Sequence, residues 1–278
     1  MSEVKRFLAF DIGASNGRAI VGEWDGKRLS CQDIHHFPNV PVQILGDMHW
    51  NALTLFGDIK NGLAEYASRF GSDVDGIGID TWGVDFALID RDGRLLGNPH
   101  HYRDKRGEGM PEAIRGKMDA YDIYAATGVQ LELVSTILQL YSLAKSNSPQ
   151  LEAADCFLMM PSMFAYFLTG NRVDEHSNVS NTALLGFAND APVSEIFEKL
   201  GIPTRILPRT VKPGTVLGSI IPSVQAETGM GAAPVIAPAT HDTASAVISV
   251  PADPSTDWAF LSCGTWSVLG VEADRPLT

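Results

Sequence analysis

Residues 7–37 read FLAFDIGASNGRAIVGEWDGKRLSCQDIHHF, and this stretch decides the fold. Phe7-Leu8-Ala9-Phe10 is a short apolar run that breaks at Gly13, and Ala19-Ile20-Val21 resumes it after Gly17. Asp25-Gly26 is a strong hairpin dipeptide, so Lys27 to Phe37 supplies a third strand and the opening is an antiparallel meander. From Asn51 the period changes. Phe56, Ile59, Leu63, Ala67 and Phe70 recur at three- and four-residue steps, which predicts an amphipathic helix with Asn51 as its N-cap. Val74 to Asp80 returns to strand, and Val84 to Ile89 is another, ended by the turn Arg91-Asp92-Gly93. Residues 109–170 read mostly helical with Gly170 as a C-terminal cap, and Pro222 to Thr228 is a short helix capped by Gly229. A buried strand, Pro234 to Pro238, precedes a helix from Thr243. Strands first, then strand and helix in alternation, define an α/β layered fold with a mixed sheet.

At about 150 residues per domain, 278 residues make one large domain or two unequal ones. A boundary falls at Val250 to Asp257, where Pro251 and Pro254 sit in a polar segment without periodicity. Beyond it a second strand–turn–strand runs from Trp258 to Cys263, through Gly264-Thr265, and from Trp266 to Val271. It repeats the pattern of the opening, so an internal duplication is expected, its second copy barely begun and the chain a fragment. The net charge of −12 repels phosphate backbones and anionic lipid, which argues against nucleic acid or membrane as partner but not against a small phosphorylated ligand. The longest uncharged stretch, Cys156 to Asn171, is too short and too broken by Pro161 to span a bilayer. The N-terminus carries no signal h-region, and three scattered cysteines indicate neither a disulfide framework nor a zinc site. A soluble, cytoplasmic protein is expected.

Three turns can carry chemistry. The first is Asp11-Ile-Gly-Ala-Ser-Asn-Gly-Arg18, where glycines 13 and 17 let backbone N–H groups approach an anion and Asp11 offers an oxygen to hydrated Mg²⁺. Asn16-Gly17 equally suits a plain hairpin. No Walker-type loop and no GxGxxG is present. The second is Ala239-Thr240-His241-Asp242-Thr243-Ala244-Ser245, at a strand end. A carboxylate there can take the proton of an attacking hydroxyl, or Asp242 can simply N-cap the helix. The third, Asp80-Thr81-Trp82-Gly83-Val84-Asp85-Phe86, suits a polyol site: Trp82 as a wall, Gly83 as floor, Asp80 and Asp85 as hydroxyl acceptors. The alternative is a hairpin with Trp82 in the core. The histidine pairs 35–36 and 100–101 cannot face one ligand from a strand, which speaks against a metal role for them. No GxSxG accompanies the serines.

Taken together and in this order, DIGASNGRA, IGIDTWGVDFALID, PATHDTASAVI and LSCGTWSVLG resemble the FGGY carbohydrate kinases over the whole chain from Phe7. The resemblance implies a ribonuclease-H-like (actin/hexokinase-type) domain with a mixed sheet flanked by helices over residues 1–250. It further implies the first hairpin of a second such, ATP-binding, domain over 251–278. It implies transfer of the ATP γ-phosphate to a ketose hydroxyl, with L-rhamnulose as the favoured sugar and L-fuculose the alternative, and a non-catalytic actin-like ATP-binding module as the rival from another class. Asp242 would be the catalytic base. Gly83, Trp82, His241, Asp242 and Thr243 would hold the sugar; Ala14, Ser15, Asn16, Gly17, Arg18 and Thr265 the ATP phosphates; and Asp11 would face Mg²⁺ through water. Glycine at 83, where the glycerol kinases of the superfamily carry arginine, fits a larger ketose.

Overall fold

The computed structural model describes residues 4–253 and 255–273; Pro254, within the expected linker, and both chain ends lie outside the described residues. The opening meander is β1 (Lys5–Ile12), β2 (Asn16–Trp24) and β3 (Leu29–Pro38), each antiparallel to the next. A small hairpin follows, β4 (Val42–Ile44) and β5 (Asp47–His49), and then α1 (Ala52–Phe70). The Asn51 side chain caps α1 by accepting from the Thr54 N–H, as its sequence position predicts. β6 (Gly76–Thr81) returns parallel to β1, and β7 (Phe86–Asp90) leaves the sheet.

Residues 109–170 hold α2 (Met110–Arg115), α3 (Ala120–Thr127), α4 (Thr136–Lys145), α5 (Pro149–Ala153), β8 (Ala154–Met159) and α6 (Met160–Thr169). β8 corrects the mostly helical reading of this stretch. Its run Ala-Asp-Cys-Phe-Leu-Met is apolar but too short for periodicity to separate strand from buried helix. Pairing decides it: β8 lies antiparallel to β7, with Phe86 opposite Met159 and Ile89 opposite Cys156. Gly170 ends α6 in the left-handed conformation, as expected of a C-terminal cap.

The segment from 171 to 221 gave no sequence signal and folds as β9 (Val173–Glu175), α7 (His176–Val179), α8 (Ser194–Leu200), β10 (Arg209–Val211) and β11 (Val216–Ser219). α9 (Pro222–Thr228), β12 (Pro234–Ile236), α10 (Asp242–Ile248) and the hairpin β13 (Ala259–Cys263) and β14 (Ser267–Val271) complete the chain. The main sheet runs β11-β12-β6-β1-β2-β3, with β12, β6 and β1 parallel. A three-stranded meander joined through a helix to parallel strands is the ribonuclease-H-like arrangement.

Two cores stabilise this arrangement. Leu8, Phe10 and Ile12 alternate on one face of β1 and pack with Ile59 and Leu63 of α1, Ile77 of β6 and Phe164 of α6, all essentially inaccessible. A second cluster joins Phe86 of β7 and Phe157 of β8 to Leu140 of α4 and Ile196 of α8. No helix among the described residues is long and apolar enough to cross a membrane.

Candidate active site

The three parallel strands end at one edge of the sheet, and that edge carries the chemistry. Asp11 and Asp80 are register partners near the ends of β1 and β6. The Thr81 N–H donates to the Thr240 carbonyl at 3.0 Å, and Thr81 pairs with His241 in an isolated parallel bridge, which ties the loop after β12 to the end of β6.

Asp242 is the first residue of α10, and His241 rather than Asp242 stands at the cap position, so the capping reading of Asp242 is corrected. Its Oδ1 accepts from the Thr243 N–H at 2.5 Å and from the Thr243 hydroxyl at 3.2 Å, and His241 Nδ1 lies 3.4 Å away. Oδ2 carries none of these bonds, and the side chain is 36% exposed. This is a carboxylate held at one oxygen and open at the other. Burial lowers the pKa of the His241 imidazole against the opposing pull of Asp242 and Glu175, so the ring is neutral at pH 7.

Gly83 makes that imidazole's position possible. A Cβ there would sit 2.6 Å from His241 Nε2, so part of the room the sequence assigned to a sugar is filled by His241. The next residue, Val84, has φ of 68°, a conformation β-branched residues avoid. The Asp85 N–H donates to the Gly83 carbonyl at 2.9 Å, closing a three-residue turn on Val84. Thr136 Oγ1, at 2.8 Å, and Gln139 Nε2, at 3.3 Å, both donate to the Val84 carbonyl and hold the turn. Strain of this kind concentrates where a site is over-determined by its surroundings.

Asp85 is not a sugar contact. It is fully buried and accepts from Trp50 Nε1 at 2.5 Å, Trp82 Nε1 at 3.0 Å, the Tyr102 N–H at 3.2 Å and Gln139 Nε2 at 2.9 Å. Burial raises its pKa to about 6 against the pull of those donors and of Arg106. Trp82, 5% exposed, packs on Trp50 with ring centroids 4.1 Å apart, and Trp50 stacks on His101 at 4.0 Å. The aromatic wall expected of Trp82 alone is thus a buried stack anchored on Asp85.

Asp80, read from the sequence as a hydroxyl acceptor, faces the other way. Its neighbours are Asp11, Asp242, Arg18 and Ser245, and its Oδ1 is buried without a hydrogen-bond partner. Burial, then Asp11, raises its pKa to about 8. Arg18 donates to Asp11 Oδ2 from Nε at 3.1 Å and from Nη2 at 2.9 Å. Because Asp11, Arg18 and Asp242 all act on Asp80, the first turn and the base candidate share one edge.

The turn closes by a Gly13 N–H to Asn16 carbonyl bond of 2.9 Å and is braced by Asn39, whose N–H donates to the Ser15 carbonyl and whose Nδ2 donates to the Gly13 carbonyl. Ser15, Asn16 and Arg18 are exposed and Ala14 is half-buried. Gly17 is required by packing: a Cβ there would meet the Phe37 ring at 2.3 Å. Thr265 is exposed in the turn of the β13–β14 hairpin, next to Trp266, which lies near the Tyr102 side chain.

Sequence reasoning missed a carboxylate that holds the Asp242 loop. Glu175, at the end of β9, accepts at Oε2 from the Thr240 N–H and the Thr240 hydroxyl, both at 2.8 Å, and from the Ser177 hydroxyl at 2.5 Å. The Ser177 oxygen in turn accepts from the His241 N–H at 3.3 Å. The available signal was the acidic pair Asp174-Glu175 just past the Gly170 cap.

Residues 6–249 match the model of the N-terminal domain of the FGGY family of carbohydrate kinases, and the chain belongs to that family. It is 40% identical over 273 residues to a rhamnulokinase of Bacteroides thetaiotaomicron, covering 98% of this chain and 56% of that protein. To a rhamnulokinase of Pectobacterium atrosepticum it is 38% identical over 276 residues, covering 98% and 54%. The chain therefore spans about half the length of these curated relatives. Among solved structures, a carbohydrate kinase from Novosphingobium aromaticivorans superposes with a TM-score of 0.79 at 22% identity, over 100% of this chain and 58% of that one. A xylulose kinase from Lactobacillus acidophilus gives 0.74 at 17%, over 84% and 47%.

Proposed function

We propose that this chain is the sugar-binding part of a ketose kinase that transfers the γ-phosphate of ATP to L-rhamnulose, giving L-rhamnulose 1-phosphate and ADP. Similarity to proteins named rhamnulokinase supports the sugar. The observation that carries the chemistry is Asp242, fixed at Oδ1, open at Oδ2 and set beside Asp80 and Asp11 on one sheet edge.

In this reading Asp242 Oδ2 takes the proton as the sugar oxygen bonds to the γ-phosphorus and the bond from that phosphorus to the β–γ bridging oxygen breaks. His241, Thr243 and Gly83 line the sugar, with Trp82 behind them. Ala14 to Arg18 and Thr265 receive the phosphates. Magnesium with ATP neutralises phosphate charge. The residues fit it: Asp80 Oδ1 is a buried oxygen with no partner, next to Asp11. Asp11 and Asp80 would face that ion. Residues 1–250 form the sugar domain and 251–278 open the ATP-binding one, in a cytoplasmic enzyme.

The test is ADP release by the full-length protein with L-rhamnulose, L-fuculose and other ketoses. Asp242→Asn is expected to lower kcat by roughly 10²–10⁴ while sugar affinity changes little, because asparagine keeps the Oδ1 acceptor for Thr243. A kcat within tenfold of the parent overturns the base assignment, and preference for another ketose overturns the sugar.

A further inference from the structure

Away from that edge, Asp47, His49 and His100 bring one potential ligand atom each to within 4.8 Å of one another. They come from two separate segments. Asp47 and His49 alternate on β5, so they share a face of that strand. His100 arrives from the loop after β7 and is held by an isolated antiparallel bridge to His49. The two imidazoles lie with centroids 4.2 Å apart and planes tilted by 41°. The histidine pair judged from sequence, 100–101, does split, as adjacent residues must: His101 turns away onto Trp50. A different pair, His49 with His100, is assembled across the two segments.

We propose that these three side chains bind a divalent ion of the zinc class, with water completing four-coordination. Two imidazole nitrogens and a carboxylate oxygen suit Zn²⁺ and not Mg²⁺, which prefers an all-oxygen set. His49 is oriented as a ligating histidine usually is. Its Nδ1 lies 3.2 Å from the Asn98 carbonyl and donates to it, which leaves the Nε2 lone pair free. The surrounding charges are mixed. Lys105 Nζ lies 3.7 Å from Asp47 Oδ1, and Arg106 lies near both Asp47 and His100, while Asp104 accepts from the Met48 and Arg106 N–H groups. Lys105 is mostly exposed, so it can swing off Asp47 when an ion takes its place. Bound there, the ion fastens β5 to the loop that delivers His101 and Tyr102 to Trp50, and so stiffens the aromatic stack behind the sugar site.

The test uses the 278-residue chain, stripped with chelator and titrated with Zn²⁺ against a chromophoric competitor, with histidine ring resonances followed in parallel. One equivalent is expected to bind and to shift the His49 and His100 rings ahead of the other five. Asp47→Asn and His100→Ala should each weaken that equivalent by at least about 10–100-fold, the range that even an outer-shell loss costs. His36→Ala and Asp80→Asn should leave it unchanged. Asp47 is half-exposed, so its variant should fold even where the His100 variant does not, and the ring shifts need no variant. Earlier shifts at His36, His176 or His241, an affinity indifferent to Asp47→Asn, or loss of the equivalent in Asp80→Asn each overturn the site.

Discussion

Asp80 shows how much one residue's surroundings decide. Its carboxyl is held protonated up to about pH 8 by burial, then by Asp11, and its folded pKa therefore lies far above the unfolded value of 3.8. The folded state keeps a proton that the unfolded state releases, so this residue's contribution to stability falls as pH rises between about 4 and 8. Asp174, raised to about 7 chiefly by burial, acts in the same direction up to that pH. His100 and His101, each lowered to about 4 chiefly by burial, act oppositely: their cost appears as pH falls from 6.5 toward 4. Between pH 7 and 8 Asp80 is the main term of this set. Denaturant titrations should show stability falling by at most about 1.4 kcal/mol over that unit, and Asp80→Asn should flatten the slope. An unchanged slope in the variant would mean that the proton sits elsewhere. At Gly83 the same logic is steric. Gly83→Ala should displace His241 and cost about 1–3 kcal/mol, read as a lowered Tm, because the incoming methyl meets an imidazole that is itself packed.

At the scale of elements, the Asp242 loop is held from β9 and α7 as well as by its own strand and helix. Glu175 is 2% exposed and gathers donors from Ser177 and Thr240. Glu175→Ala would leave the Thr240 N–H buried without an acceptor, at a cost of about 1–3 kcal/mol for that group. Glu175→Gln restores one acceptor oxygen but sets an amide donor against the Ser177 N–H. The expected order of Tm is parent, then Gln, then Ala, and, under the proposed function, sugar-dependent turnover of the full-length protein should follow the same order. A purely structural glutamate would lower Tm and leave turnover per folded molecule unchanged. The elements that build this edge differ in how far they can be read from sequence. β1 to β3, α1 and α9 announce themselves through turn dipeptides, a 3.6-residue period and caps, all local signals. Asp11 and Asp242 are legible because each ends or follows a strand. Glu175 is not, because β9 is three residues long and finds its place through contacts made 65 residues later. Asp85 misleads for a related reason: an acid beside Trp82 looks like a ligand group until Trp50, Tyr102 and Gln139 arrive from three other segments.

For the molecule as a whole, the question is how firmly the last hairpin belongs to the rest. β13 and β14 pair fully, from Ala259 opposite Val271 to Cys263 opposite Ser267. Yet Leu261 is 62% exposed, Leu269 74% and Val271 60%, so the face they share lies open, and Phe260 on the opposite face is only half-buried. A lone two-stranded hairpin is marginal in water. α10 packs against β13, while Trp266, in the turn and near Tyr102, is 54% exposed. Apolar burial is the main source of stability, and the hairpin adds little of it. Amides of 259–263 and 267–271 are therefore expected to exchange through local opening, well ahead of those in β6, whose exchange should require global unfolding. A chain ending at residue 253 should keep the parent's stability to within about 0.5 kcal/mol, the usual span for changes remote from a core. Protection of the hairpin equal to that of β6, or a clear loss of stability on its removal, would show that the hairpin and the rest form one cooperative unit.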